Sequence, residues 1–143
     1  WHNARELLSS KNLSLPADVI VMNAQGSEER EPALIRDDEK IVDIGPKGLF
    51  ELSDFIANSQ FVLWNGPLGL YERGFRETSE EVARTIAASR AYSVVGGGDT
   101  AASIARLKLE DRFTFVSTAG GAMLEFLLAG TLPGIEALRS SPR

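Results

Sequence analysis

Five short apolar runs punctuate this chain: Val19 to Met22, Ile41 to Ile44, Phe61 to Trp64, Tyr92 to Val95 and Phe113 to Val116. Most are rich in Val, Ile, Phe or Tyr, and their apolarity is continuous rather than alternating. That pattern belongs to strands covered on both faces, as in a parallel sheet. Helical signals lie between the later runs. Leu49, Leu52, Phe55 and Ile56 have helical spacing within Gly48 to Asn58, and Thr78-Ser79-Glu80-Glu81 reads as a capping box before Val82 and Ile86. Thr100 to Leu107 is a short Ala-rich helix. Ala122 to Ala129, apolar on nearly every face, predicts a buried helix stopped by Gly130, and Gly134 to Arg139 predicts a brief helix after Pro133. The alternation predicts an α/β fold, an open, mainly parallel, Rossmann-like sheet with helices on both faces. Gln25 to Asp38, with seven charged residues and Pro32, reads as a loop or edge hairpin. No repeat or linker interrupts the chain, which predicts one folding unit.

Composition narrows the function. At 143 residues the chain has the size of one domain. Without cysteine there is no disulfide, thiolate metal site or cysteine nucleophile. The lone His2 at the start of the chain makes a Ser-His-Asp triad or a His-rich metal site a poor reading. The formal charge of −5 and the lack of a basic run argue against nucleic acid or an anionic membrane as partner. No apolar stretch approaches the ~20 residues of a membrane span, and a cytoplasmic location is expected. The opening Trp1-His2-Asn3, without an initiator methionine, reads as a fragment or a processed chain.

In an open α/β sheet, ligands bind beyond the carboxyl ends of the strands, where helix N-termini gather. Three strand ends here have unusual sequence. Gly96-Gly97-Gly98-Asp99-Thr100 turns from strand to helix through bare backbone, so that N–H groups can approach phosphate oxygens and the helix dipole favours an anion. Asp99 adds a carboxylate suited to Mg²⁺, and Thr100 can cap the helix or bond a phosphate oxygen. The plainer alternative is a tight turn with Asp99 as N-cap, worth ~1 kcal/mol. Ser117-Thr118-Ala119-Gly120-Gly121 repeats the arrangement, and two such N-termini facing one crevice can stabilise charge on a transferred phosphoryl group. Its alternative is a small-residue turn with hydroxyl caps. At the third strand end, Asn65 can meet a nucleotide phosphate or base edge, while the Glu72 carboxylate suits a ribose diol. Any isolated Glu is otherwise a solvated loop residue, and Trp64 reads as core rather than a stacking platform. The pattern Gly96-x-Gly98-x-x-Ala101 also fits a dinucleotide fingerprint, but the acid expected after the next strand is missing, since that strand ends in Ser117-Thr118.

Taken in order, Trp64-Asn65-Gly66-Pro67 with Glu72, Gly96 to Thr100, Ser117-Thr118-x-Gly120-Gly121-Ala122 and Leu132-Pro133-Gly134 strongly resemble the phosphoglycerate kinase family. Leu15-Pro16-x-Asp18-Val19 and Asp43-Ile44-Gly45-Pro46 look like the same family, so the resemblance covers nearly the whole chain. It implies that residues 1–143 are part of the C-terminal nucleotide-binding domain of an enzyme that moves a phosphoryl group between 1,3-bisphosphoglycerate and ADP in glycolysis. By the same resemblance Glu72 meets the ribose, and Asn65, Gly97, Gly98, Asp99 and Thr100 line Mg-ADP or Mg-ATP. Asp99 holds the metal, while Gly98, Gly120 and Gly121 face the transferred group. The N-terminal phosphoglycerate-binding domain and the family's Gly-Ala-Lys-Val segment are absent from the sequence, which suits its negative charge and implies that it does not turn over alone. Ala119 stands where the family has a glycine. The parent enzyme is expected to be monomeric, and loss of leading strands would favour self-association of the fragment. An inert α/β remnant and an NAD-binding dehydrogenase domain are the alternatives.

Overall fold

The computed structural model describes residues 2–140, with side chains from Ala4 onward. The His2 side chain therefore lies outside the described residues. The chain divides into two compact units, the first ending at Leu52 and the second beginning at Ser53. The boundary falls inside a helix, so no linker composition marks it in the sequence.

The first unit holds helix α1 (His2–Leu8), which has no periodic apolar face and was not foreseen, and strands β1 (Val19–Asn23), β2 (Gly26–Arg30) and β3 (Lys40–Ile44). The sheet order is β2-β1-β3, and both pairings are antiparallel. The runs at Val19 and Ile41 are thus strands, but of an antiparallel sheet rather than the parallel one expected. Chain length decides the β1–β2 pair alone, since a parallel pair needs a crossover of a dozen or more residues. Here β1 and β2 join across Ala24 and Gln25, where the Gln25 N–H donates to Asn23 Oδ1 at 2.9 Å. The polar stretch becomes the edge strand β2 and a 3₁₀ turn, Pro32–Leu34. It is closed by the buried Glu39, which accepts from Arg30 Nη2 at 2.7 Å and from the Arg36 N–H at 2.8 Å. The Arg30 hydrogen bond, ahead of the others, holds the Glu39 carboxyl below the usual carboxylate range.

Helix α2 (Pro46–Ala57) starts on a buried carboxylate. Asp18 is fully buried and accepts the N–H groups of Gly48 at 2.7 Å and Lys47 at 3.1 Å, satisfying two of the donors that a helix start leaves open. Gly45 passes so close that a Cβ there would collide with the Asp18 carboxyl.

The second unit holds β4 (Phe61–Asn65), α3 (Glu77–Ala88), β5 (Tyr92–Gly96), α4 (Gly98–Arg106), β6 (Phe115–Ser117), α5 (Gly120–Ala129) and α6 (Pro133–Ser140). Its sheet, β4-β5-β6, is parallel throughout. The fold is α/β, as read from the alternation. Helix α3 buries Ser79, Val82, Ala83, Ile86 and Ala87, one stripe at helical spacing, and α4 buries Thr100, Ser103 and Ile104. These helices pack on each other, and α4 packs on β5 and β6. Trp64 and Val95 are buried, so Trp64 is a core residue. Met123 of α5 reaches Gly96, which alternates onto the other face, so helices lie on both faces of the sheet.

Three expectations fail in this unit. The capping box does not form: α3 starts at Glu77 after Arg76, which leaves Thr78 inside the helix. Helix α5 is not buried, since Leu127 and Leu128 are 60% and 90% exposed. The sheet face carrying Phe61, Leu63, Tyr92 and Phe115 is likewise exposed, with Phe61 and Tyr92 stacked 5.9 Å apart. Apolar composition marks what a helix or strand favours, whereas burial also needs a second element to supply the cover. These side chains are left at least 40% exposed. No single described helix is long and apolar enough to cross a membrane, and α5 and α6 are bent by 67° at their break.

Asp18 sets a pH dependence. Burial by itself would raise its pKa, but the hydrogen bonds from Gly48 and Lys47 and the Lys47 charge outweigh it and lower the pKa. A carboxyl with a lowered folded pKa stabilises the fold above its unfolded pKa and loses that contribution as pH falls through the folded value. Asp18→Ala is expected to cost on the order of 2 kcal/mol at neutral pH by stranding buried N–H groups. Denaturant titrations from pH 7 downwards should show the gap between wild type and variant closing below the usual carboxylate range.

Candidate functional site

Three parallel strands end in one row. Asn65 of β4 pairs with Gly96 of β5, and Gly96 with Ser117 of β6, so all three glycine-rich turns leave the sheet at the same level. The tips are tied directly, because the Gly97 N–H donates to the Ser117 carbonyl at 3.0 Å. Gly97 is therefore the hinge of its turn rather than a free donor, with φ +105° at the position preceding α4. The first helical bond runs from the Ala101 N–H to the Gly97 carbonyl, so the N–H groups of Gly98, Asp99 and Thr100 have no acceptor within the helix. In α5 the first bond runs from Met123 to Ala119, which leaves those of Gly120, Gly121 and Ala122 in the same position.

The two helix starts touch. A Cβ on Gly120 would lie 2.9 Å from both Cα and N of Gly97 and would collide with Asn65 Oδ1. The Asn65 side-chain oxygen also lies against Gly96 and Gly97, at 3.0 and 3.6 Å from the positions their Cβ atoms would take. Asn65, Gly97 and Gly120 thus form one cluster. Glycine has a structural reason at Gly96, Gly97 and Gly120. None applies at Gly98 or Gly121, where a Cβ would meet nothing within 4 Å and φ is not in the left-handed region. Ala119 has φ −103°, outside the left-handed region that favours glycine, so the turn does not require a glycine there.

Asp99 occupies the exposed first turn of α4 and makes no ion pair among the described residues. Among the described residues no three His, Cys, Asp or Glu side chains gather to hold a metal. A lone carboxylate beside unsatisfied N–H groups fits Mg²⁺ carried on phosphate, which takes its other ligands from phosphate oxygens and water, and does not fit an all-protein cage.

Thr100 ties two of the strand-end turns together. It is fully buried, and its hydroxyl accepts the Gly66 N–H at 3.1 Å, joining the second glycine turn to the first. The loop after Gly66 is held further on. Ser79 of α3, also fully buried, donates to the Leu68 carbonyl at 2.9 Å, and Arg76 Nε donates to the Tyr71 carbonyl at 3.1 Å with its guanidinium over the Tyr71 ring. Glu72 follows in a 3₁₀ turn, Tyr71–Arg73, exposed and without an ion pair among the described residues. Ser79 was missed as a loop anchor because Thr-Ser-Glu-Glu reads as a cap. Its place on the apolar stripe 79, 82, 83, 86 and 87 was the available signal.

The fold and these turns define a class: open parallel α/β proteins with paired helix N-termini at the carboxyl end of the sheet. Within that class the family is specific. The family model for phosphoglycerate kinase matches residues 2–130, and the chain belongs to the phosphoglycerate kinase family. It is 38% identical to a phosphoglycerate kinase of Blochmanniella floridana over 98% of its length and 39% identical to one of Haemophilus influenzae (strain Rd) over 94%. It spans about 36% of the length of each. Among solved structures it resembles phosphoglycerate kinase from Coxiella burnetii (TM-score 0.76, 38% identity) and from Pyrococcus horikoshii OT3 (TM-score 0.80, 32% identity). In both cases 96% of this chain and 36% of the other are covered.

The packing yields a contrast within one cluster. Gly97→Ala puts a side chain at φ +105° and should cost about 1–3 kcal/mol, and Gly120→Ala should cost at least as much through collision with backbone. Ala119→Gly should cost no more than about 1 kcal/mol. Denaturation midpoints of the three variants test this order.

Proposed function

We propose that this chain is the nucleotide-binding part of a phosphoglycerate kinase, residues 1–143 belonging to its C-terminal domain, and that the crevice at Asn65, Gly98 and Gly120 takes Mg-ADP or Mg-ATP. One observation carries the reading. Gly98 and Gly121, bare of side chains without any packing or backbone requirement, lie at two touching helix starts with unsatisfied N–H groups. Backbone left open in this way admits phosphate oxygens to hydrogen-bond distance, and both helix dipoles favour the negative charge.

In this reading the N–H groups of Gly98, Asp99 and Thr100 hold the nucleotide phosphates, and those of Gly120 and Gly121 face the transferred phosphoryl group. Asp99 binds Mg²⁺, which when present neutralises phosphate charge. Asn65 steadies a phosphate from the strand end, and Glu72 accepts from the ribose hydroxyls. The transfer runs between 1,3-bisphosphoglycerate and ADP, giving 3-phosphoglycerate and ATP. Phosphoryl transfer depends on positioning and on neutralising charge. This chain carries no cationic side chain among the residues assigned to its site, so the chain alone binds without turning over.

Melting the chain with Mg-ADP, Mg-ATP and NAD in parallel tests the assignment, since a ligand that binds only the folded form raises stability by mass action. Mg-ADP is expected to raise the melting temperature, and Asp99→Ala to abolish that rise. A response to NAD alone, or to nothing, refutes the reading. Gly98→Ala and Gly121→Ala separate function from folding. Each should stabilise its helix by roughly 0.5–1 kcal/mol while weakening Mg-ADP binding.

A further inference from the structure

We propose that Thr100 and Ser79 are positioning residues that hold the loop from Gly66 to Tyr71 in its ligand-ready shape, and that Thr100 does this in place of contacting the nucleotide through its hydroxyl. The proposal rests on the nucleotide reading of the same site and deepens it. Loops at strand ends are ordinarily mobile, because their backbone groups bond to water. This one is fastened at three points. The Gly66 N–H is bound to Thr100 Oγ1, the Leu68 carbonyl accepts from Ser79 Oγ, and the Tyr71 carbonyl accepts from Arg76 Nε. Both hydroxyls are fully buried, so neither has water to fall back on when its loop partner leaves.

The fastening joins the parts of the crevice. Thr100 lies in the first turn of α4, where its own N–H is one of the unsatisfied donors, while its hydroxyl fixes Gly66, next to Asn65. Asn65 and the α4 start therefore move as one piece. At the far end of the same loop, Ser79 and Arg76 fix the backbone just before Glu72. A loop preformed in this way spares the nucleotide the ordering cost of building its own site.

The test uses Thr100→Val, which keeps shape and loses the hydroxyl, Thr100→Ser, which keeps the hydroxyl, and Ser79→Ala. Residue-resolved hydrogen exchange and Mg-ADP titration are measured on each. In Thr100→Val the Gly66 amide is expected to lose protection while core amides of β5 keep theirs, and Mg-ADP binding to weaken about five- to tenfold, the equivalent of one hydrogen bond. Thr100→Ser should restore both. Ser79→Ala should loosen amides across 66–71 and weaken binding similarly, which keeps the idea testable if Thr100→Val does not fold. Unchanged Gly66 protection in Thr100→Val overturns the proposal. So does lost binding with Gly66 still protected, which would make Thr100 a direct ligand contact. If wild type ignores Mg-ADP, the nucleotide reading fails, and the exchange data alone still decide whether the loop is held.

Discussion

Gly120 and Gly97 approach each other more closely than any side chain would permit, and the architecture of the candidate site follows from that contact. With a Cβ at Gly120, α5 would have to retreat from the tip of β5, and Asn65 would lose the seat it shares with both glycines. The contact also aligns two helix starts whose unsatisfied N–H groups would otherwise point into separate regions of solvent. In-register parallel strands make this possible, because Asn65, Gly96 and Ser117 end at one level. A slip of one residue would send each strand's side chains to the opposite face and dissolve the cluster.

The unit ending at Leu52 solves its problem with charge. Its helix starts on a buried carboxylate, and its edge strand is closed by a buried Glu39 held by Arg30 and a backbone N–H. Buried carboxylates survive only when hydrogen bonds replace the lost water, and both Asp18 and Glu39 have them. The unit beginning at Ser53 relies more on the largely apolar stripe along α3 and on the buried Trp64, Val95 and Ile104, with hydroxyl and guanidinium bonds holding the loop that leads to Glu72.

Apart from α1 and the cap of α3, local signals were readable where a residue's role depends on its near neighbours. All five apolar runs are strands or overlap one, Gly130 ends α5 in the left-handed conformation, and the segment rich in charge is an edge hairpin. Misreadings arose where the role depends on distant residues. The bond that the Thr100 hydroxyl accepts from Gly66, 34 positions away, had no sign in the sequence. Ala122 to Ala129 looked buried, yet Leu128 faces outward, since apolar composition cannot show whether a covering element exists. The runs at Val19 and Ile41 looked parallel because a four-residue apolar run has no direction of its own.

The amino-acid order by itself determined the elements, the α/β class and the family, because hydrophobic period and glycine-rich turns act within a few residues along the chain. Only the tertiary structure decided which glycines serve packing and which stand open, which strands run parallel, and that Asn65 sits between two helix starts. Those properties belong to pairs of residues far apart in the chain, and a pair acquires a distance only when the backbone has folded.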